Sequence, residues 1–380
     1  MSEPMSQQDA GWMVLVYAGV FLIMGLSGVV VPILDILGGI PFWSSVLFSA
    51  YFGGALVSLI PFGVLTDRYG AQRTLAISLV LTTLSGIALS LFSDVAVLSV
   101  ARLVEGVGCG AFFPPSLSML SHLPKTKRRT GAFNLLLNAG LACGVILGGA
   151  LALLTPKGGI YLFTLPMLLL TPYALLSLMR GGASSHSAQD VGDVVRASIG
   201  MFFSRQLVPL WVVCITTFGC TGAVIAMYPF YTAELLSRDV QGLALGGVYV
   251  GGILASLMAA YVPISSARML RGGVLITALG TLLTIYTPLG PTVFGLGSGF
   301  VFVGAVVYAS QMARRTAAPD GLMMGTLSTM VYLGFATLPL LFGMLHPMLS
   351  LPRLIGLNAL IVLSTAVLSP WADDGHGRGA

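Results

Sequence analysis

Long apolar runs separated by short polar breaks dominate the chain. Twelve such segments can be marked, at about Trp12 to Leu34, Phe42 to Leu65, Thr74 to Phe92, Val95 to Leu120, Thr130 to Leu154, Ile160 to Met179, Leu207 to Tyr231, Leu243 to Val262, Gly272 to Pro288, Thr292 to Met312, Leu322 to Leu345 and Arg353 to Leu368. A helix crossing the hydrocarbon core needs roughly 20 mostly apolar residues. It must be a helix because no water is present there to satisfy backbone N–H and C=O groups. The pattern predicts an all-α polytopic membrane protein with twelve transmembrane helices. The polar stretch RGGASSHSAQDVGDVVRAS, Arg180 to Ser198, splits them six and six, and its Gly, Ser, Asp and Arg content suits a linker. The expected organisation is an N-terminal six-helix bundle over 1–179, a cytoplasmic linker over 180–206 and a C-terminal six-helix bundle over 207–380 that ends in a short tail.

Composition strengthens this reading: 56% of residues are hydrophobic and 8% charged, against about 25% charged in ordinary soluble domains. Charge then sets the orientation, because loops on the cytoplasmic side collect Lys and Arg. With the N-terminus inside, 14 of the 18 basic residues fall on the cytoplasmic side and 3 (Lys157, Arg238, Arg353) outside, leaving Arg102 within the membrane. Both termini are therefore expected in the cytoplasm, in a multi-pass protein of the inner (plasma) membrane. The net charge of +5 reflects this topology, and no nucleic-acid partner is expected. The segment before the first span holds Glu3 and Asp9 but no Lys or Arg, unlike a cleavable signal. Cys109, Cys143, Cys214 and Cys220 fall in spans without metal-ligand spacing, so neither metal nor cofactor is expected. The 48 glycines suit close helix approach in lipid.

The loop after the second span reads GVLTDRYGAQRT, Gly63 to Thr74. Gly63 and Gly70 would permit a tight reversal, and Asp67, Arg68 and Arg73 offer an ion pair at a helix end. The stretch resembles the signature of the major facilitator superfamily, matching it at Gly63, Leu65, Asp67, Arg68 and Gly70. The two basic positions of that signature are Ala71 and Gln72 here, with Arg73 one place further on. In the fourth span RLVEGVG, Arg102 to Gly108, resembles the family pattern of an arginine preceding Gly-x-Gly, with Glu105 where glutamine is frequent. In the fifth, Gly131, Gly140, Gly144, Gly148 and Gly149 follow the spacing of the family's antiporter pattern, although Val145 stands where a proline normally follows the third glycine. The resemblance implies two six-helix bundles around a cavity that opens alternately to each side. It implies a cytoplasmic gate at Gly63, Asp67, Arg68, Gly70 and Arg73, and helix packing at Gly140, Gly144, Gly148 and Gly149. The second half keeps Arg268 and Arg271 of the loop signature but no aspartate, and no sequence repeat is visible beyond the six-helix hydropathy.

The residues that are costly in a membrane are the candidates for chemistry. At 1.5 Å of rise per residue from Asp94, Arg102 lies about 12 Å deep and Glu105 about 16 Å deep. An arginine or acidic residue there costs about 2.5 to 3.5 kcal/mol on insertion scales, so both should face the bundle interior. Their i,i+3 spacing puts them on one helix face, within reach of a charge-assisted hydrogen bond. One reading is a structural brace. The other is a proton or substrate switch in which separation from Arg102 lets Glu105 take up a proton. Asp35 is either a solvated carboxylate at the outer mouth or a second protonation site. Asn134 and Asn138 share a face of span five and would bind a ligand or glue helices together. Tyr228, Tyr249, Tyr308, Gln311 and Tyr332 would line the second half of the substrate cavity or form an interfacial aromatic belt. Pro114 and Pro115 predict a bend or unwound turn in span four. The expected function is proton-coupled efflux of a small, apolar or weakly cationic molecule by a monomer that needs only substrate, protons and bilayer. The alternatives are a uniporter, an organic-anion symporter, a lipid exporter or a non-transporting sensor. No HExxH, Ser/His/Asp set or metal cluster points to an enzyme.

Overall fold

The computed structural model describes residues 7–121, 126–180, 203–262, 264–316 and 320–368. The basic residue Lys125 and most of the expected linker lie outside them. The first span is built from α1 (Gln7–Val30), a 3-10 turn at Val31–Ile33 and α2 (Leu34–Gly38). Pro32 sits in that turn, where its missing N–H breaks the α-helical ladder. The other helices are α3 (Pro41–Tyr69), α4 (Ala71–Leu91), α5 (Val95–Ser121), α6 (Thr126–Ala152), α7 (Gly158–Arg180), α8 (Val208–Thr232), α9 (Arg238–Tyr261), α10 (Ser266–Leu283), α11 (Gly290–Thr316), α12 (Asp320–Leu345) and α13 (Leu351–Leu368). Among the described residues ten spans are long and apolar enough to cross a membrane. The remaining two helices, α10 and α13, have 18 residues each, about 27 Å of helix against a core of about 30 Å.

Two compact units emerge: Met1–Gln189 with Leu236–Leu243, and Asp190–Leu235 with Ala244–Ala380. The boundary differs from a simple cut at the linker, because Leu236–Leu243 groups with the first unit. Arg238 there forms an ion pair with Asp35, and Gly242 abuts the backbone of Gly149 on α6.

Within the first unit α1 packs on α6 and α7, α3 on α5, and α4 on α5 and α7. Small residues make these approaches possible. A Cβ on Gly54 of α3 would overlap the Leu103 carbonyl of α5, and one on Gly106 of α5 would overlap the Tyr51 carbonyl of α3. On α6, Gly140, Gly144 and Gly148 lie against the Phe21, Gly25 and Val29 carbonyls of α1. In the second unit α10 packs on α11 and α13, and α8 on α12 and α13. Gly280 and Gly297 seat α10 against α11, and Gly219 and Gly334 seat α8 against α12. These pairings match α4 with α5 and α7, and α1 with α6 and α7, helix for helix. The internal repeat that the sequence hides is therefore plain in the packing, as in transporters built from parallel repeats.

Gly53 and Gly54 give this packing argument a sharp test. A Cβ at Gly53 meets nothing within 4 Å, so Gly53→Ala should hold or raise the detergent melting temperature, since glycine costs about 1 kcal/mol relative to alanine within a helix. Gly54→Ala forces two backbones apart, and about 1–3 kcal/mol of destabilisation is expected from such overpacking. Equal melting temperatures for the two variants would mean that α3 and α5 are not in this register.

Two turns depend on left-handed glycine. Gly70, with φ of 92°, joins α3 to α4 and donates its N–H to the Thr66 carbonyl at 2.9 Å; Gly39, with φ of 70°, does the same for the α2–α3 corner. Gly63, expected in the reversal, lies instead inside α3, which continues for six residues beyond it to Tyr69. No unwound turn forms at Pro114 and Pro115, since α5 runs unbroken from Val95 to Ser121 with both prolines inside it.

Candidate functional site

Asp94 starts α5 as its cap, its Oδ1 accepting the Ala96 and Val97 N–H groups at 3.0 Å each. That fixes the start from which the positions further along the helix are counted. Two turns on, Arg102 is 1% exposed, and one turn beyond it Glu105 is fully buried. Arg102 Nη1 donates to Glu105 Oε2 at 2.7 Å. Its Nε donates to the Leu47 carbonyl of α3 at 3.3 Å. The guanidinium carbon stands 4.6 Å from the centre of the Tyr51 ring, a distance at which a desolvated cation gains from the ring face. The Tyr51 hydroxyl in turn donates to Cys109 Sγ at 3.0 Å. Arg102, Glu105 and Cys109 follow one another at i, i+3 and i+7 on one face of α5, and Leu47 and Tyr51 at i, i+4 on the facing side of α3.

One atom of this cluster is unsatisfied. Glu105 Oε1 is buried without a hydrogen-bond partner among the described residues. A buried carboxylate with one oxygen paired and one bare gives up hydration that the single ion pair does not fully restore. A bound proton, a water or a ligand donor at that oxygen would relieve the cost.

Tyr51 was not among the residues expected at the site, although a signal was there. It lies ten residues past Pro41, about 15 Å along α3, too deep for an interfacial tyrosine. A hydroxyl at that depth needs a partner.

Asp35 is neither solvated nor alone. Its carboxylate receives Arg238 Nη1 at 2.7–2.8 Å, with 8% of the Asp35 side chain exposed. The same Nη1 lies 3.3 Å from Gln241 Oε1, and Gln241 Nε2 donates to the Leu236 carbonyl. Arg238, one of the basic residues expected on the outside, thus finds its partner 203 residues away.

The other expected residues are dispersed. Asn134 is exposed, and Asn138 donates to the Asn134 carbonyl of its own helix at 2.9 Å. In the second unit Tyr308 lies in the main hydrophobic core and Tyr228 is 1% exposed. Gln311 accepts from the Ser266 hydroxyl across the α10–α11 contact at 3.3 Å, and Tyr249 and Tyr332 are half-buried. At the α3–α4 turn Arg68 stacks over Tyr69, 5.4 Å from the ring centre. Arg73 is exposed beside a groove between α4 and α7. The Asp67 side chain lies outside the described residues. Gly149 faces the Arg238 carbonyl and Gly242. Among the described residues no group of His, Cys, Asp and Glu could hold a metal ion.

The sequence model described as Major Facilitator Superfamily matches residues 13–319. The chain belongs to the major facilitator superfamily. Its fold is that of a multi-pass membrane transporter. It is 26% identical over 306 residues to the uncharacterized MFS-type transporter EfpA of Mycobacterium tuberculosis, covering 72% of this chain and 57% of that protein. The chain thus spans little more than half the length of that relative. It is 26% identical over 305 residues to the 3-(3-hydroxy-phenyl)propionate transporter of Escherichia coli, covering 75% and 74% of the two chains. A shorter match, 32% identical over 123 residues, covers 31% of this chain and 23% of the multidrug resistance protein Stp of M. tuberculosis. Among solved structures, that of a mutant of the nucleoside transporter NupG superposes with a TM-score of 0.78 at 10% identity, covering 95% of this chain and 98% of the other.

Proposed function

We propose that the chain is a secondary active transporter that exports a small, apolar or weakly cationic molecule in exchange for protons by alternating access, with both termini in the cytoplasm. The observation that carries this reading is the bare, buried Oε1 of Glu105 beside an ion-paired Oε2. Arg102 pairs with the carboxylate at 2.7 Å, and a conformational change that separates the two would take the counter-charge away from Glu105. Once the arginine is displaced, protonation is the least costly state for a carboxyl at that depth. A proton crossing 100 mV releases about 2.3 kcal/mol, enough to drive substrate uphill. Similarity to a multidrug resistance protein supports the efflux direction.

Import of an organic anion is the second reading, favoured by the relative named for an aromatic carboxylate. Against it, the guanidinium of Arg102 already faces Glu105, the Leu47 carbonyl and the Tyr51 ring. Asp35, paired with Arg238 and placed at the outer mouth, is assigned a structural role in place of proton exchange.

Reconstituted vesicles decide among these. With an imposed pH gradient, flux of lipophilic dyes and cations is expected to rise several-fold over the gradient-free control. Flux of equal size without the gradient would remove proton coupling. Uptake of aromatic carboxylates alone would establish the second reading.

A further inference from the structure

The sequence places Arg73 in the gate signature, yet the structure sets it at the mouth of a groove of about 450 Å³ between α4 and α7. That volume falls in the range of small-ligand sites, roughly 300–1,000 Å³. Ile77, Val80 and Leu81 of α4 and Leu175 and Leu178 of α7 line it. Higher up, the two helices are pinned by the Thr83–Thr171 hydroxyl pair at 2.6 Å and by Thr171 Oγ1 against the Leu79 carbonyl at 3.3 Å. From that pin toward the α3–α4 turn the helices enclose the groove. Arg73 to Leu81 extends about 12 Å along α4, from a charged end into a wall of alkyl side chains. Ile77 and Leu175 are exposed, at 49% and 43%, so the groove opens on the outer face of the helices, where lipid tails lie. Neither α4 nor α7 contains an Asp or Glu, and α7 ends at this same side in Arg180. The cap before Arg73 is Gly70, which offers no side chain to the first N–H groups of α4, and a helix start favours negative charge.

We propose that this groove is a binding site for an anionic phospholipid, with its phosphate on Arg73 and one acyl chain along Ile77, Val80, Leu81, Leu175 and Leu178. Charge complementarity selects the headgroup, and the apolar groove behind the arginine selects a lipid over a free phosphate. On the orientation predicted by the loop charges, the site faces the inner leaflet, which is the more anionic one.

Native mass spectrometry of the full chain, released from detergent with equimolar phosphatidylglycerol and phosphatidylcholine, tests this. Phosphatidylglycerol should be retained preferentially. Arg73→Gln should reduce the retained phosphatidylglycerol about fivefold, the factor that one basic residue contributes near an anionic surface, and Arg73→Lys should keep most of it. Val80→Phe, which fills the groove and leaves the charge in place, should also lower retention. Glycerol phosphate in excess should not displace the lipid. Equal retention of the two lipids, no change in Arg73→Gln, or no change in Val80→Phe would each overturn the proposal, and displacement by glycerol phosphate would reduce it to a plain phosphate site. The readout is lipid retention in all arms, so its failure is independent of whether the chain couples transport to protons.

Discussion

Glu105→Gln is expected to abolish proton-driven accumulation while leaving the protein folded and able to bind its substrate. Glutamine has nearly the same shape as glutamate, and its carbonyl can still accept from Arg102 Nη1, which now reaches Glu105 Oε2 at 2.7 Å. The variant therefore keeps the helix-face geometry and loses only the ability to exchange a proton at mid-membrane depth. In vesicles the concentrative phase driven by a pH gradient should fall to the level of protein-free controls, a loss of at least tenfold, while downhill counterflow persists. Cys109→Ala, on the same face but outside the ion pair, should leave accumulation near wild type. Were Glu105→Gln to accumulate substrate as well as wild type, Glu105 would be only the partner of Arg102, and the coupling group would have to be sought elsewhere.

The parts of this site that were legible in the sequence are those set by local periodicity. Arg102 and Glu105 sit three apart on a helix whose start is marked by Asp94, so both depth and shared face follow from helix geometry alone. The structure adds that Asp94 caps this helix, with Ala96 and Val97 donating to its Oδ1. Hydropathy likewise yields the spans, because lipid leaves the backbone no alternative to a helix. The first span was marked to Leu34, but the turn at Pro32 does not end it, and α2 carries the apolar segment on to Gly38.

What periodicity could not supply is pairing across the chain. The Asp35–Arg238 pair joins residues 203 positions apart, and nothing local in either segment marks the other. Tyr51 and Leu47 reach Arg102 because Gly54 and Gly106 let α3 and α5 touch backbone to backbone; the glycines were visible, but not which helix each would face. Gly63 was misplaced for a different reason. The turn motif has two glycines, and only Gly70 adopts positive φ, a distinction that composition does not carry.

Arg102→Met should be the most destabilising single change in the first unit, by about 3–5 kcal/mol, because it strands a fully buried carboxylate. The cost comes less from the lost ion pair than from what remains: Glu105 would keep neither its Nη1 donor nor any partner at Oε1. The Leu47 carbonyl would lose its additional donor from Arg102 as well, and the Tyr51 ring its cation. Adding Glu105→Leu to Arg102→Met should therefore recover most of the loss, since replacing both members of a buried pair with apolar side chains is often neutral or stabilising. Denaturant titration in micelles across the wild type, both single variants and the double variant gives the coupling energy directly. A double variant no more stable than Arg102→Met alone would show that the arginine braces α3 through Leu47 and Tyr51 independently of the glutamate. Full recovery of stability together with complete loss of accumulation would mean that a pair adding nothing to the fold is kept for transport.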